Sequence, residues 1–290
     1  MGVRCQVAPL EDPLLLAEGC RGRDVLFHLA GAVDFTDDWD LCRRVNVAGT
    51  ANVLRAAAQA GVRRIVHASS IVAVGATPEP VRLDETSPWS LGDKHVAYVT
   101  TKREGEQVAL AFLGGPEVVV VNPASVIGPE DYSGSEFGVM CRRFWRGRIP
   151  LVFGGGNNFV DVRDVAAGML RAGERGRPGE RYILGGTNRS YTAFNSELAK
   201  VAGRAIPRFR LPTALARIGA VIGERVNNRK SKRPLLSPAQ ARLLGLFFYY
   251  DCSKAARELA YTTRPLRDTL ADAHQFWMSG AHRGRAAGAP

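Results

Sequence analysis

Tyr98 and Lys102 stand four residues apart in the segment Tyr98-Val99-Thr100-Thr101-Lys102. On a helix that spacing puts both side chains on one face. A phenol titrates near 10, too high to exchange a proton readily at neutral pH. An ammonium held within a few ångströms favours the phenolate and brings that value down. The pair is therefore a candidate general acid/base. Spacing alone is weak evidence. With seven Tyr and six Lys, chance supplies about 0.14 such pairs per chain, and a lone pair is more simply an exposed helix pair.

Upstream residues sharpen the signal. Arg64 to His67 reads as a strand and runs into Ala68-Ser69-Ser70. A hydroxyl there lies at the carboxyl end of a strand, where a substrate carbonyl can be held. Distance to Gly75 favours Ser70, with Ser69 the off-by-one alternative. Phe27 to Gly31 ends the preceding strand in small residues, as close backbone approach to a cofactor requires. Asn46 lies in the run Val45 to Leu54, with Gly49 and Ala51 allowing helix and sheet to pack closely. His28 and His67 read as packed strand residues, since no second metal ligand is spaced near either. Asp161 and Asp164 read as capping and helix-dipole residues rather than a paired-carboxylate site.

The elements that must carry these residues alternate. Arg4 to Val7 reads as a weak strand, Asp12 to Gly19 as a helix and Asp24 to Leu29 as a strand. Apolar spacing over Asp38 to Ala60 predicts one helix stopped by Gly61, and Ala97 to Phe112 is another. Val118 to Val121 is four consecutive valines, expected of a strand buried on both faces of a parallel sheet. Arg181 to Leu184 is a further strand. The alternation predicts an α/β, doubly wound, Rossmann-like parallel sheet with functional groups at the carboxyl ends of its strands. The division expected is 1–128 with 158–186 as the cofactor region, and 129–157 with 187–280 as a smaller, mostly helical substrate region. The Gly/Ala/Arg segment 281–290 is expected to be disordered.

Composition excludes several classes. The 290 residues are 46% hydrophobic and 23% charged, which is globular. No 18-residue apolar run indicates a membrane span, and Leu211 to Gly223 is short and carries Arg217. Five scattered cysteines with no CxxC indicate neither a disulfide framework nor zinc, so a reducing cytoplasm is expected. The net charge of +11 invites a nucleic-acid reading, but only six of the 39 basic residues are Lys. Such an Arg bias reads as genome composition. The cluster Arg225 to Arg233 has no interleaved aromatics for base stacking and reads as a solvated loop.

Taken together, FHLAG, NVAGTANVLRAA, RRIVHASSIVAVG, YVTTKREGE, VVVNPASVIGPED and NNFVDVRDVAAGML occur in the order and spacing of a known family. The set resembles the extended short-chain dehydrogenase/reductase superfamily, over Val3 to Trp277. Within it the chain is most similar to the dihydroflavonol-4-reductase-like and hopanoid-associated sugar-epimerase-like group. The resemblance implies NAD or NADP as cofactor and a small-molecule substrate, with a homodimer as one assembly it could form. It implies Tyr98 as general acid/base, Lys102 as the residue that lowers its pKa and holds the nicotinamide ribose, and Ser70 as the hydrogen-bond partner of the reacting oxygen. Ala30, Gly31, Asn46, Ser69, Pro123 and Val126 would line the cofactor.

Two departures bear on substrate. Asn157 stands where sugar-nucleotide members carry a diphosphate-binding Arg, and Ile71-Val72 follows Ser70 where dehydratases have Asp-Glu. Both favour a ketone/alcohol oxidoreductase acting on a less charged molecule. A third departure bears on the cofactor. The sequence has no GxxGxxG turn between a strand and a helix, and Pro9 stands where an acidic residue would meet adenine. The opening segment reads as the family's third strand. The expectation is an N-terminally truncated chain, from an incomplete gene model or a fragment, that holds a dinucleotide poorly. The alternative reading is thus a non-catalytic remnant that keeps the Ser-Tyr-Lys set.

Overall fold

The computed structural model describes residues 5–148, 151–152, 154–204, 209–210 and 236–280. The basic cluster at 225–233 and the segment 281–290 lie outside the described residues. The strands are β1 Val25–His28, β2 Arg64–Ala68, β3 Arg82–Leu83, β4 Glu117–Pro123, β5 Ser125–Ile127, β6 Leu151–Val152, β7 Gly156–Asp161, β8 Arg181–Leu184, β9 Thr187–Ser190, β10 Phe209–Arg210 and β11 Phe247–Tyr250. The helices are α1 Pro13–Cys20, α2 Trp39–Arg43, α3 Thr50–Gln59, α4 Ala97–Leu110, α5 Glu136–Trp145, α6 Val162–Arg175, α7 Tyr191–Val201, α8 Pro238–Leu243, α9 Ser253–Leu259 and α10 Leu266–Met278.

The principal sheet is parallel throughout, in the order β1-β2-β4-β8. Its centre is the valine run, and each of Val118 to Val121 is buried. Alternate side chains serve opposite faces. Val118 and Val120 pack with Ile65, Leu54, Ala57 and Ala109 beneath α3 and α4. Val119 and Val121 pack with Val66, Val165, Met169 and Ala172 beneath α6. Each such buried valine contributes about 1.5–3 kcal/mol. Helices on both faces make the α/β, doubly wound arrangement that the alternation predicts. Parallel strands place the ends of β1, β2 and β4 on one edge, and Ala30, Ser70 and Pro123 fall there.

Three expectations change. Residues 5–7 form no strand, and Val7 is 92% exposed. β1 is the edge strand and pairs with β2 on one side, and residues 5–7 do not add to its open side. The helix expected over 38–60 is split into α2 and α3 by a π-helical segment, Arg44–Gly49, which holds Asn46. The region expected to be mostly helical also carries strands. β3-β11-β7-β5 form a second sheet to which β9 adds antiparallel, and β6 pairs with β10.

Candidate active site

Helix α4 starts where Asp37 accepts a hydrogen bond from the Ala97 amide (3.1 Å). This satisfies one of the helix's free N–H groups and fixes the turn that carries Tyr98. Tyr98 is 8% exposed, and its hydroxyl donates to Ser70 Oγ at 3.2 Å. The Phe35 ring meets the Tyr98 ring edge-on at 5.2 Å. One turn on, Lys102 is buried, and its Nζ donates to the Ala68 carbonyl at 2.7 Å. Ser70 begins the turn after β2, where its Oγ also accepts from the Val72 amide (3.4 Å). Ser69 Oγ is buried with no hydrogen-bond partner. The structure thus brings Ser69, Ser70, Tyr98 and Lys102 together at the carboxyl end of β2.

The electrostatics differ from the sequence expectation in one respect. Burial raises the Tyr98 phenol, and the Ser70 hydrogen bond is what opposes it. Lys102, expected to depress it, is bonded instead to the Ala68 carbonyl. Burial lowers Lys102 to about 8 against a smaller upward pull from Glu106. The ammonium is still the main form at neutral pH. It can turn to the phenolate only by exchanging or sharing its backbone partner.

Asn46 ties the loop after β1 to α4. Its Oδ1 accepts from the Ala32 amide (2.8 Å), and its Nδ2 donates to the Ala32 carbonyl (3.1 Å) and to Thr101 Oγ1 (3.0 Å). Ala30 and Gly31 are exposed on that loop. A Cβ on Gly31 would meet Asn46 Oδ1 at 3.5 Å and Lys102 Nζ at 3.7 Å, so the exposed backbone runs beside the lysine. Pro123 ends β4, and Val126 packs against the core cluster that contains Tyr98.

His28 and His67 face each other across β1 and β2, with ring centroids 5.1 Å apart. His28 Nε2 pairs with Thr50 Oγ1 at 3.2 Å. Burial lowers His28 to about 4 and His67 well below the usual range, and Lys102 adds to both. They are packed, neutral strand residues. Asp161 caps α6 by accepting from the Arg163 amide (2.8 Å), and Asp164 bonds Arg264. Asn157 is buried in β7 and accepts from the Asn158 amide (2.8 Å). Among the described residues no set of three His, Cys, Asp or Glu side chains is placed to hold a metal, and no helix is long and apolar enough to cross a membrane.

Sequence reasoning missed Glu106 and Asn122, both fully buried beside the site. Two signals were available: a third residue at the four-residue spacing of 98 and 102, and one polar residue ending a run of valines.

A doubly wound parallel sheet with a Tyr/Lys helix face at its carboxyl edge defines a dinucleotide-dependent class of protein. The chain belongs to the NAD dependent epimerase/dehydratase family, whose model matches residues 8–185. It is 35% identical over 270 residues to a putative dihydroflavonol 4-reductase of Synechocystis sp., which covers 91% of this chain and 78% of that one. It is 33% identical over 270 residues to sterol demethylase protein B of Methylococcus capsulatus, covering 91% and 81%. Among solved structures, gox2253 superposes with a TM-score of 0.81 at 31% identity, over 95% of this chain and 84% of that one.

Proposed function

We propose that this chain is an NAD(P)-dependent oxidoreductase or epimerase that acts on a ketone or secondary alcohol of a small molecule through Ser70, Tyr98 and Lys102. The observation that carries the proposal is the buried Tyr98 hydroxyl bonded to Ser70 Oγ at 3.2 Å, with Lys102 sunk one turn away. A buried phenol held protonated is suited to giving its proton to a carbonyl oxygen. Ser70 donates a second hydrogen bond to that oxygen, as an oxyanion-type donor. The phenolate left behind is stabilised by Lys102 once its ammonium releases the Ala68 carbonyl. Alcohol oxidation uses the same groups in reverse.

The family's nicotinamide cofactor would supply or accept the hydride. The residues present fit its nicotinamide-ribose end: an exposed Gly31 backbone, the buried ammonium of Lys102, and Ser69 Oγ, buried and without a partner. They do not fit the pyrophosphate end equally well. Among the described residues no glycine-rich turn joins a strand to a helix N-terminus. That observation supports the second reading, a homologue that keeps the site but holds the dinucleotide too weakly to turn over.

Ketone reduction is favoured over sugar-nucleotide chemistry. Asn157, buried and internally bonded, offers no guanidinium fork for a diphosphate. A relative's name, dihydroflavonol 4-reductase, also points to a carbonyl substrate. The test is NADPH or NADH oxidation at millimolar cofactor against neutral ketones and UDP-sugars. Turnover of a ketone that is lost in Tyr98→Phe supports the proposal; turnover of UDP-sugars alone overturns the preference for a ketone, and turnover of neither overturns the proposal.

A further inference from the structure

Glu106 has no exposed surface and lies one helical turn beyond Lys102 on α4. Its Oε1 accepts from Arg103 (3.2 Å) and Arg181 (2.8 Å), and its Oε2 accepts from Asn122 Nδ2 at 2.5 Å. Asn122 Nδ2 also donates to the Ser70 carbonyl (2.9 Å). The guanidinium of Arg103 reaches the Ala73 carbonyl (3.2 Å), and that of Arg181 reaches it at 3.4 Å. Further along the same turn, Trp89 Nε1 holds the Val72 carbonyl (2.9 Å), and the Tyr250 hydroxyl is shared between the carbonyls of Ile71 and Gly75. The turn that presents Ser70 is thus caged by side chains from several elements, and a single carboxylate joins three of them.

We propose that Glu106 is a positioning residue for the site: it holds Asn122 against the Ser70 carbonyl and sets a fixed negative charge one turn from Lys102, so one buried hub orders both sides of the reacting oxygen. The inference rests on the Ser-Tyr-Lys reading. A buried carboxylate without partners is costly, whereas here two guanidiniums and an amide satisfy it. Ion pairs with Arg103 and Arg181 hold the buried carboxylate in place.

The charge has a direction of action. Glu106 favours the Lys102 ammonium, whereas burial and the neighbouring His28 and His67 do not add a negative charge. On the other side, Tyr98 faces Cys42. Glu106 is thus the anion that acts on Lys102.

The test is NMR titration of selectively labelled lysine side chains. Six lysines are present, and Lys102→Arg assigns the signal of interest. Glu106→Gln keeps the shape and removes the charge, so the Lys102 midpoint falls by about half a pH unit or more. Glu106→Asp leaves it near wild type. Arg181→Gln, which strips one cation from the same carboxylate, moves it upward and serves if Glu106→Gln does not fold. An unmoved midpoint in folded Glu106→Gln, or a downward move in Arg181→Gln, overturns the proposal. In turnover, Glu106→Gln lowers kcat by about tenfold with KM little changed, as expected of lost preorganisation. The titration needs neither cofactor nor substrate, so an enzyme that is silent in every assay overturns the proposed function and leaves this test standing.

Discussion

Gly105 and Asn46 meet backbone to backbone: a Cβ built on Gly105 would stand 2.2 Å from the Asn46 carbonyl oxygen. This contact seats the π-helical segment on α4 at the level of Lys102. Gly105→Ala is therefore expected to push the two apart, costing about 1–3 kcal/mol or more. Asn46 also bonds Thr101 and Ala32, so the displacement reaches the loop at Gly31. Thermal unfolding of Gly105→Ala measures it. A variant as stable as wild type contradicts the packing described.

The histidine pair sets an acid limit on stability. His28 titrates at about 4 in the fold, against 6.5 for the ordinary group, and His67 is lowered further. Between those values the unfolded chain binds protons that the folded chain refuses, so stability falls as pH drops below 6.5. His28 alone accounts for about 3 kcal/mol once pH reaches 4, from its shift at 1.36 kcal/mol per unit. Denaturant unfolding at several pH values checks this. The His28→Asn, His67→Asn double variant is expected to flatten the slope; an equal slope in both proteins would refute the assignment.

Lys102 governs the alkaline side. Its ammonium is lost as pH rises through about 8. Reduction is expected to decline above that pH in kcat/KM, because the phenolate left by proton donation loses its counter-charge. Lys102→Arg keeps a charge over this range, so its residual activity has no limb near 8. A wild-type profile flat to pH 10 contradicts the role.

The cofactor end of the site leads to another expectation. The residues described fit the nicotinamide-ribose half but supply no cradle for the pyrophosphate. Among the described residues no glycine-rich turn leads from a strand into a helix N-terminus that would reward the second phosphate, so reduced nicotinamide mononucleotide is expected to serve this 290-residue chain within about tenfold of NADH. Calorimetry and turnover with both compounds compare them. Low-micromolar NADH or NADPH binding, with none for the mononucleotide, rules this out.

Much of this was legible in the residues, and the limits are physical. Val118 to Val121 announced a strand buried on both faces, and 98 with 102 announced a shared helix face. The place of Ser70 followed from the strand that ends just before it. The π-helical segment was hidden, because Val45, Val53 and Leu54 fit a single helical period while the distortion lies where Asn46 packs against Gly105, a contact distant in sequence. Residues 5–7 stay off the open edge of β1, which local residue preference does not decide. Lys102's bond to Ala68 could not be read either, since spacing gives the face of a helix and not the acceptor opposite it. Asn122 and Glu106 looked like ordinary polar residues until burial showed that each must be satisfied inside the protein.

The central claim concerns the proton on Tyr98. Its most direct measurement is the rate of ketone reduction by Tyr98→Phe and wild type at saturating reduced cofactor, with equal folding checked by circular dichroism. The expected result is a loss of about 10²–10⁴-fold in kcat with ketone binding preserved. A Tyr98→Phe rate within about twofold of wild type would contradict it.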